Sequence, residues 1–340
     1  MNKIRVLNQQ EVTSLLNLSD AIVAVEKAYR QKATGNGSLW PMVFHEFDPG
    51  HADLDIKSGD LSADGIFGFK LVSWFEANSQ NGLPELLGTS MLFNIHTGAP
   101  VALFNASALT GLRTGAAAAI GAKYLARPDA HTLLMAGTGS LAPYAIAATL
   151  LVCPNIHCVL LSNPHHPDKA KDRLTDIRVQ VNELLWNAGG KCEYEISAIE
   201  DLSQAAAQSD VIITATPSRN PFLHSEWIRP GTHISCLGAD MTGKQELSSN
   251  LLKKAMLIAD DRVQSLNVGE SEMAVSAGII TPEHISGEIG DIISGKIPGR
   301  TNLEQITVLD STGIVLQDLA CCAEVLHKAE AAMVGTVIAL

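Results

Sequence analysis

The feature that most constrains this chain is TLLMAGTGSLAPYAIAATLLV, residues 132–152. A short apolar run that reads as a strand passes through Gly137 and Gly139 to Ala142 and into an alanine-rich helix. These positions match G-x-G-x-x-G/A: the first glycine permits a tight turn, the second lets backbone approach a pyrophosphate, and the third small residue lets helix pack closely on strand. Pro143 fits only the first turn of a helix, which puts the helix N-terminus, with its free N–H groups and dipole, at the loop. The same glycines would serve a tight turn before a buried helix. The strand–loop–helix setting favours a dinucleotide cradle.

The surrounding rhythm supports that reading. After Pro128, strands are expected at 132–136, 157–161, 210–214, 233–237 and 256–259, with helices following Gly139, Asp168, Ile199 and Gln245. Short strands alternating with helices indicate a doubly wound parallel sheet. Before it, Ser19 or Asp20 is expected to cap a helix whose apolar face carries Ile22, Val25 and Tyr29 and which ends near Gly35. From Trp40 the pattern alternates as strands do, with a hairpin turning at His96–Gly98. Residues 110–126 read as a small-residue helix, 303–309 as another strand, and LQDLACCAEVLHKAEAAM as a closing helix. The expected domains are 1–115 plus 303–340, for substrate and dimerisation, and 116–302, a Rossmann-type unit.

Composition narrows the partners. A formal charge of −12 argues against nucleic acid, because no basic patch could dominate such a surface. The apolar run near 142–153 is too short to span a bilayer, and no signal peptide is read at the N-terminus, so no membrane association is expected. Cys153, Cys158, Cys192, Cys236, Cys321 and Cys322 form no CxxC pair and no zinc-like spacing, so neither a metal site nor a disulfide framework is expected. Reduced thiols point to the cytoplasm.

The end of the second strand bears on the cofactor. A ribose-binding acid would stand about twenty residues past the loop. Here VLLSNPHHPDKA has Asn163 in that place, followed by His165, His166 and Lys169. Nothing there repels a 2′-phosphate and the cations attract one, which favours NADP(H) over NAD(H). The histidines equally suit a solvated turn.

Three further residues carry candidate chemistry. Lys70 in GIFGFKLVSWF shares a strand face with Val72 and Trp74, where desolvation would lower its pKa and make it a proton donor or base. The competing reading is an edge-strand lysine reaching solvent. Arg113 stands near a helix start, where a cation opposes the dipole unless an anion is near. It would bind a carboxylate bidentately, or pair with an internal acid. Asp240 follows a strand, at the end where ligands bind in such sheets. Glu246 reads as an acid in the first turn of the next helix. Lys57 is either a second carboxylate-binding cation or surface charge.

Several segments together resemble the ornithine cyclodeaminase/mu-crystallin family: GFKLVSWFEANSQNGLPELLGTSMLF, ALTGLRTGAAAAIGAKYLARPDA, GTGSLA, SDVIITATPS, GADMTGKQEL and DSTGIVLQDLA. They span most of the chain in order. The resemblance implies a Rossmann domain inserted into an α/β domain that also receives the C-terminal helix, and a homodimer built through that outer domain. It places Lys70 and Arg113 at substrate-carboxylate and catalytic positions, Asp240 at the acidic catalytic position, and Gly137, Gly139, Ser140 and Leu141 at the pyrophosphate loop. Asn163 matches the asparagine of NADPH-using members. Thr114, Thr216 and Gly238 complete the expected cofactor set, with His165 and Lys169. Two departures stand out: residues 39–56 hold no arginine where the family often has a carboxylate-binding one, and Pro164 stands where NADPH-using members tend to have arginine. Lys57 is a candidate substitute for the first.

The chemistry shared across the family is hydride transfer between a nicotinamide and an amino-acid α-carbon at the imine level. The expected function is NAD(P)H-dependent reduction of Δ1-pyrroline-2-carboxylate, and with it Δ1-piperideine-2-carboxylate, to L-proline or L-pipecolate. The rivals are an ornithine or lysine cyclodeaminase with bound NAD, an alanine-type dehydrogenase, and a nucleotide-binding protein with no catalytic role. Retention of Lys70, Arg113 and Asp240 together argues against the last.

Overall fold

A computed structural model describes residues 3–191 and 193–340, so Cys192 lies outside the described residues. The chain forms two compact units: Met1–Arg113 with Ile314–Leu340, and Thr114–Gly313. The fold is α/β, with a doubly wound parallel sheet inserted into a smaller α/β unit.

The outer unit holds β1 (Lys3–Leu7), β2 (Gly37–Leu39), β3 (Val43–Asp48), β4 (Ala52–Leu61), β5 (Ile66–Phe75), β6 (Leu86–Asn94), β7 (Pro100–Asn105) and the last strand, β16 (Thr336–Ala339). Its sheet runs β16-β1-β7-β6-β5-β4-β2, with β3 also paired to β4. Helices α1 (Gln9–Leu15), α2 (Leu18–Ala33), the start of α3 (Ser107–Leu125) and α11 (Val315–Ala332) belong to it. The α2 cap is Asn17, not Ser19 or Asp20: Asn17 accepts from the Asp20 N–H, and the Asp20 carboxylate reaches back to the Asn17 N–H. Gly59 and Gly68 let α11 settle on β4 and β5. A Cβ at Gly68 would stand 2.3 Å from the Met91 carbonyl and 3.0 Å from Leu319, and one at Gly59 3.1 Å from Val315. That close seat determines which α11 side chains reach the sheet.

The inserted unit is an eight-stranded, all-parallel sheet in the order β10-β9-β8-β11-β12-β15-β13-β14. Its strands are β8 (Thr132–Ala136), β9 (Cys158–Ser162), β10 (Glu195–Ala198), β11 (Val211–Thr214), β12 (His233–Cys236), β13 (Met256–Ala259), β14 (Ile285–Glu288) and β15 (Thr307–Asp310). Its helices are α4 (Ala142–Val152), α5 (Asp168–Asn187), α6 (Leu202–Gln208), α7 (Ser249–Lys254), α8 (Arg262–Val268), α9 (Glu272–Ser276) and α10 (Ile289–Ile293). The chain builds outward from β8 in one direction and then from β11 in the other. That reversal is the switch point beside which doubly wound sheets bind ligands. Central strands covered on both faces are buried, β11 throughout and β8 from Leu133 on, as the largely apolar runs TLLMA and VIIT require.

Three further expectations need correction. The strand expected at 303–309 forms over Thr307–Asp310 and pairs with β12 and β13, so it belongs to the inserted unit, and the chain returns to the outer unit at Ile314 instead of near 303. The small-residue helix starts at Ser107, not 110, and contains the other boundary, between Arg113 and Thr114. The helix expected directly after Gln245 begins only at Ser249. The glycines of α3 have a packing reason: a Cβ at Gly115 would lie 2.6 Å from the Tyr144 carbonyl, and one at Gly121 2.7 Å from Ser235 and Leu309.

Candidate functional site

In the outer unit, β5 lies between β4 and β6, with Lys57 directly opposite Lys70 on one side and Ser90 on the other. Lys70 is therefore an interior-strand lysine, 2% exposed, and not an edge residue reaching water. Its ammonium donates to Asp318 Oδ1 at 2.8 Å and to Thr110 Oγ1 at 2.8 Å. Arg113 Nε stands 3.4 Å from the same Asp318 oxygen, and its Nη1 donates to Gln317 Oε1 at 3.1 Å. Gln317 is fixed in turn by donating to the Tyr29 hydroxyl at 2.6 Å.

Arg113 is the seventh residue of α3, beyond the first turn where the dipole acts, and it meets the internal carboxylate of Asp318. Burial lowers the Lys70 pKa against the pull of Asp318, and Arg113 and Lys57 lower it further. Burial alone would raise the Asp318 carboxyl, but Lys70, Arg113 and Lys57 outweigh it and hold it below the ordinary value. The Asp318 carboxylate thus feels three cations, Lys70 and Arg113 in contact and Lys57 through space. Asp318 Oδ2 is buried and has no hydrogen-bond partner among the described residues.

In the inserted unit, the glycine loop has the form its sequence implies. Gly137 takes φ +133°, and a Cβ there would stand 2.5 Å from the Ala215 carbonyl, so only glycine fits. Gly139 faces open space, with no atom within 4 Å of a Cβ position. Pro143 lies in the first turn of α4, so the exposed N–H groups of that helix meet the loop. Gly139, Ser140 and Leu141 share an open pocket with Thr216, Gly238, Asp240 and Lys244. A backbone cradle with room at its second glycine fits a dinucleotide pyrophosphate. A larger hollow lined by Ser225, Lys254, Met256, Ser286 and Glu304 lies at the opposite strand ends and holds none of the expected residues.

Asn163 shapes the second strand's exit. Its Nδ2 donates to Thr138 Oγ1 at 2.8 Å, and its Oδ1 accepts from the His165 and His166 backbone N–H groups at 3.2 and 3.0 Å. His165 and Lys169 are exposed beside it. Thr114 is buried, with its hydroxyl unpartnered among the described residues. Asp240 is half exposed and pairs with Lys244 at 2.6 Å.

Glu246 departs from expectation. It sits in an extended segment before α7, fully buried, and accepts from Thr214 Oγ1 at 2.6 Å, Thr216 N and Oγ1 at 2.7 Å each, and Gly238 N at 3.0 Å. Asp318 is the residue that sequence reading missed, and Glu246 the one it misplaced. For Asp318 the sequence offers a lone acid beside Gln317 in the mostly apolar run VLQDLACC, which says nothing of what that acid meets.

The ornithine cyclodeaminase/mu-crystallin family model matches residues 2–332. Three solved structures are similar over the whole chain. An archaeal alanine dehydrogenase dimer with bound NAD is 35% identical at a TM-score of 0.87, covering 99% of both chains. The Δ1-pyrroline-2-carboxylate reductase of Thermococcus litoralis, with NADH and L-proline, is 28% identical at a TM-score of 0.88, covering 98% of this chain and 99% of its own. The iminosuccinate reductase of Paracoccus denitrificans, with NAD+, is 30% identical at a TM-score of 0.90, covering 99% of this chain and 100% of its own.

Proposed function

The chain belongs to the ornithine cyclodeaminase/mu-crystallin family, and from that premise we propose that it reduces a cyclic imino acid with NAD(P)H: Δ1-pyrroline-2-carboxylate, and with it Δ1-piperideine-2-carboxylate, to L-proline or L-pipecolate. The observation that carries this reading is the cluster of Lys57, Lys70 and Arg113 around the single carboxylate of Asp318. Cations gathered in this way suit a small carboxylate substrate, and Arg113 supplies a planar fork for it. Lys70, with its proton loosened by burial, is the proposed donor to the imine nitrogen. Asp318 positions that ammonium, and its unpartnered Oδ2 offers an acceptor to a protonated nitrogen. Asp240, held by Lys244, is the proposed second proton-handling group.

The proposed cofactor residues are Thr114, Gly137, Gly139, Ser140, Leu141, Asn163, His165, Lys169, Thr216 and Gly238. The bound nicotinamide would supply the hydride. Asn163 in place of an acid supports NADPH as the preferred form, whereas the three similar structures that carry a dinucleotide carry NAD or NADH. The outer unit also exposes Phe44, Phe47, Leu86 and Leu87 on β3 and β6, apolar side chains of the kind that the proposed homodimer would cover.

A second reading has its own support. The archaeal alanine dehydrogenase is the most identical of the three structures, and an amino-acid dehydrogenase would use the same cations. Ammonia separates the two. With Δ1-pyrroline-2-carboxylate and NADPH or NADH, absorbance at the nicotinamide band is expected to fall without added ammonia. Turnover of a 2-oxo acid only when ammonia is present, or ammonia release from L-ornithine with no imine turnover, overturns the proposal.

A further inference from the structure

Among the carboxylates that the inserted unit buries, those of Glu246, Glu270 and Asp310 are linked through backbone N–H groups and hydroxyls. They form a relay. Asp310, at the end of β15, accepts from the backbone N–H groups of Glu270 and Ser271 and from the Ser265 and Ser271 hydroxyls. Glu270 accepts from the Glu246 N–H at 2.9 Å and the Leu247 N–H at 2.5 Å. The Glu246 carbonyl accepts from Phe222 and Leu223. The Glu246 side chain therefore projects from a backbone pinned on both sides, and its four donors come from the ends of β11 and β12. The fit is tight: a Cβ on Gly238 would stand 2.5 Å from Glu246 Cδ and 2.3 Å from the Thr216 carbonyl.

We propose that Glu246 is a positioning residue for the dinucleotide pocket, its carboxylate tying Thr216 and Gly238 into the lining they share with Gly139, Ser140 and Leu141. The inference rests on reading that pocket as the dinucleotide site. Both carboxylate oxygens accept two bonds, and two of the four donors are backbone N–H groups that cannot turn to accept. The ionised group accepts all four bonds; once protonated, one oxygen becomes a donor, so a threonine hydroxyl must turn to accept it and the ties are rearranged. Burial pushes the Glu246 carboxyl up to about 7, within reach of ordinary solution pH. The titratable groups around it are Glu270, Asp310 and the Cys236 thiol, and the thiol is pushed well up by burial and these acids. Asp240 and Lys244, in the loop leading to Glu246, pair with each other.

The sign of the pH effect separates positioning from simple charge. A carboxylate that merely repelled the dinucleotide phosphates would bind it better once protonated; a positioning carboxylate would bind it worse. The test titrates NADH into the wild-type protein and Glu246→Gln from pH 5.5 to 8.5, following nucleotide fluorescence, with circular dichroism as a check on folding. The expected results are a wild-type Kd that rises as pH falls from 8 to 6, and a Glu246→Gln Kd that is about ten-fold higher at pH 8 and flat with pH. A variant that binds like wild type, or that keeps the wild-type pH profile, overturns the proposal. So does tighter wild-type binding on acidification. If Glu246→Gln fails to fold, the wild-type profile decides alone, and a flat one overturns it. A wild-type protein that binds no NADH at any pH sinks the pocket reading itself.

Discussion

The ammonium of Lys70 and the carboxylate of Asp318 meet at 2.8 Å although 248 residues separate them, and both are almost wholly removed from solvent. Breaking a buried pair from one side leaves an uncompensated charge, at a cost of about 3–5 kcal/mol. Asp318→Asn is expected to destabilise the protein by that order, read by chemical denaturation. Loss of the anion also lowers the Lys70 pKa further, so the limb of the pH–rate profile that reports a protonated lysine should move to lower pH. A variant with unchanged stability and profile would remove Asp318 from the account.

Lys70→Ala tests the proton donor. General acid catalysis is worth about 10²–10⁴-fold in rate, so kcat for imine reduction should fall by that order. NADH binding should stay within about two-fold, since the glycine loop and its pocket belong to the other unit. Activity that survives the substitution assigns the proton elsewhere.

The buried acids also set how stability depends on pH. The Glu246 carboxyl rises from its ordinary 4.5 to about 7, and that of Asp310 from 3.8 to about 6, both chiefly through burial. Each native carboxyl thus holds its proton at a pH where the unfolded chain has released it. The stability it contributes is present below the unfolded value and is lost as pH rises through the folded one. Relative to Glu246→Gln, the wild-type protein should lose on the order of 3 kcal/mol of stability between pH 4.5 and 7.5. Denaturation midpoints for the two proteins across that range check it; parallel curves would mean that Glu246 does not titrate there.

Cofactor choice is expected to depend on the exit of β9. Lys169→Ala should raise the KM for NADPH several-fold while leaving that for NADH unchanged, because only the former carries a 2′-phosphate for the lysine to attract. Equal effects on both would place Lys169 away from the ribose.

The parts legible in the sequence are those where one residue's own geometry is limiting. Gly137 needs a backbone that side chains rarely adopt, and Pro143 fixes a helix start, so the loop and its βα setting could be read locally. Lys70 was legible as unusual because its strand neighbours are apolar. Asp318 was not, because its role depends on α11 settling over Gly59 and Gly68, a contact between distant segments. Glu246 was misread for a related reason. An acid just before a helix normally complements the dipole, but here the chain stays extended to Ser248 and the side chain turns inward to unpaired donors at two strand ends. The domain boundary failed at β15, whose apolar sequence carries no information about which sheet it joins.

The most direct test of the central claim follows a deuterium label. The protein is incubated with Δ1-pyrroline-2-carboxylate and nicotinamide cofactor deuterated at the reduced C4 position, in NADPH and NADH forms, and the amino-acid product is analysed by mass spectrometry and NMR. The account predicts L-proline carrying deuterium at Cα. No proline, or proline without the label, would contradict it.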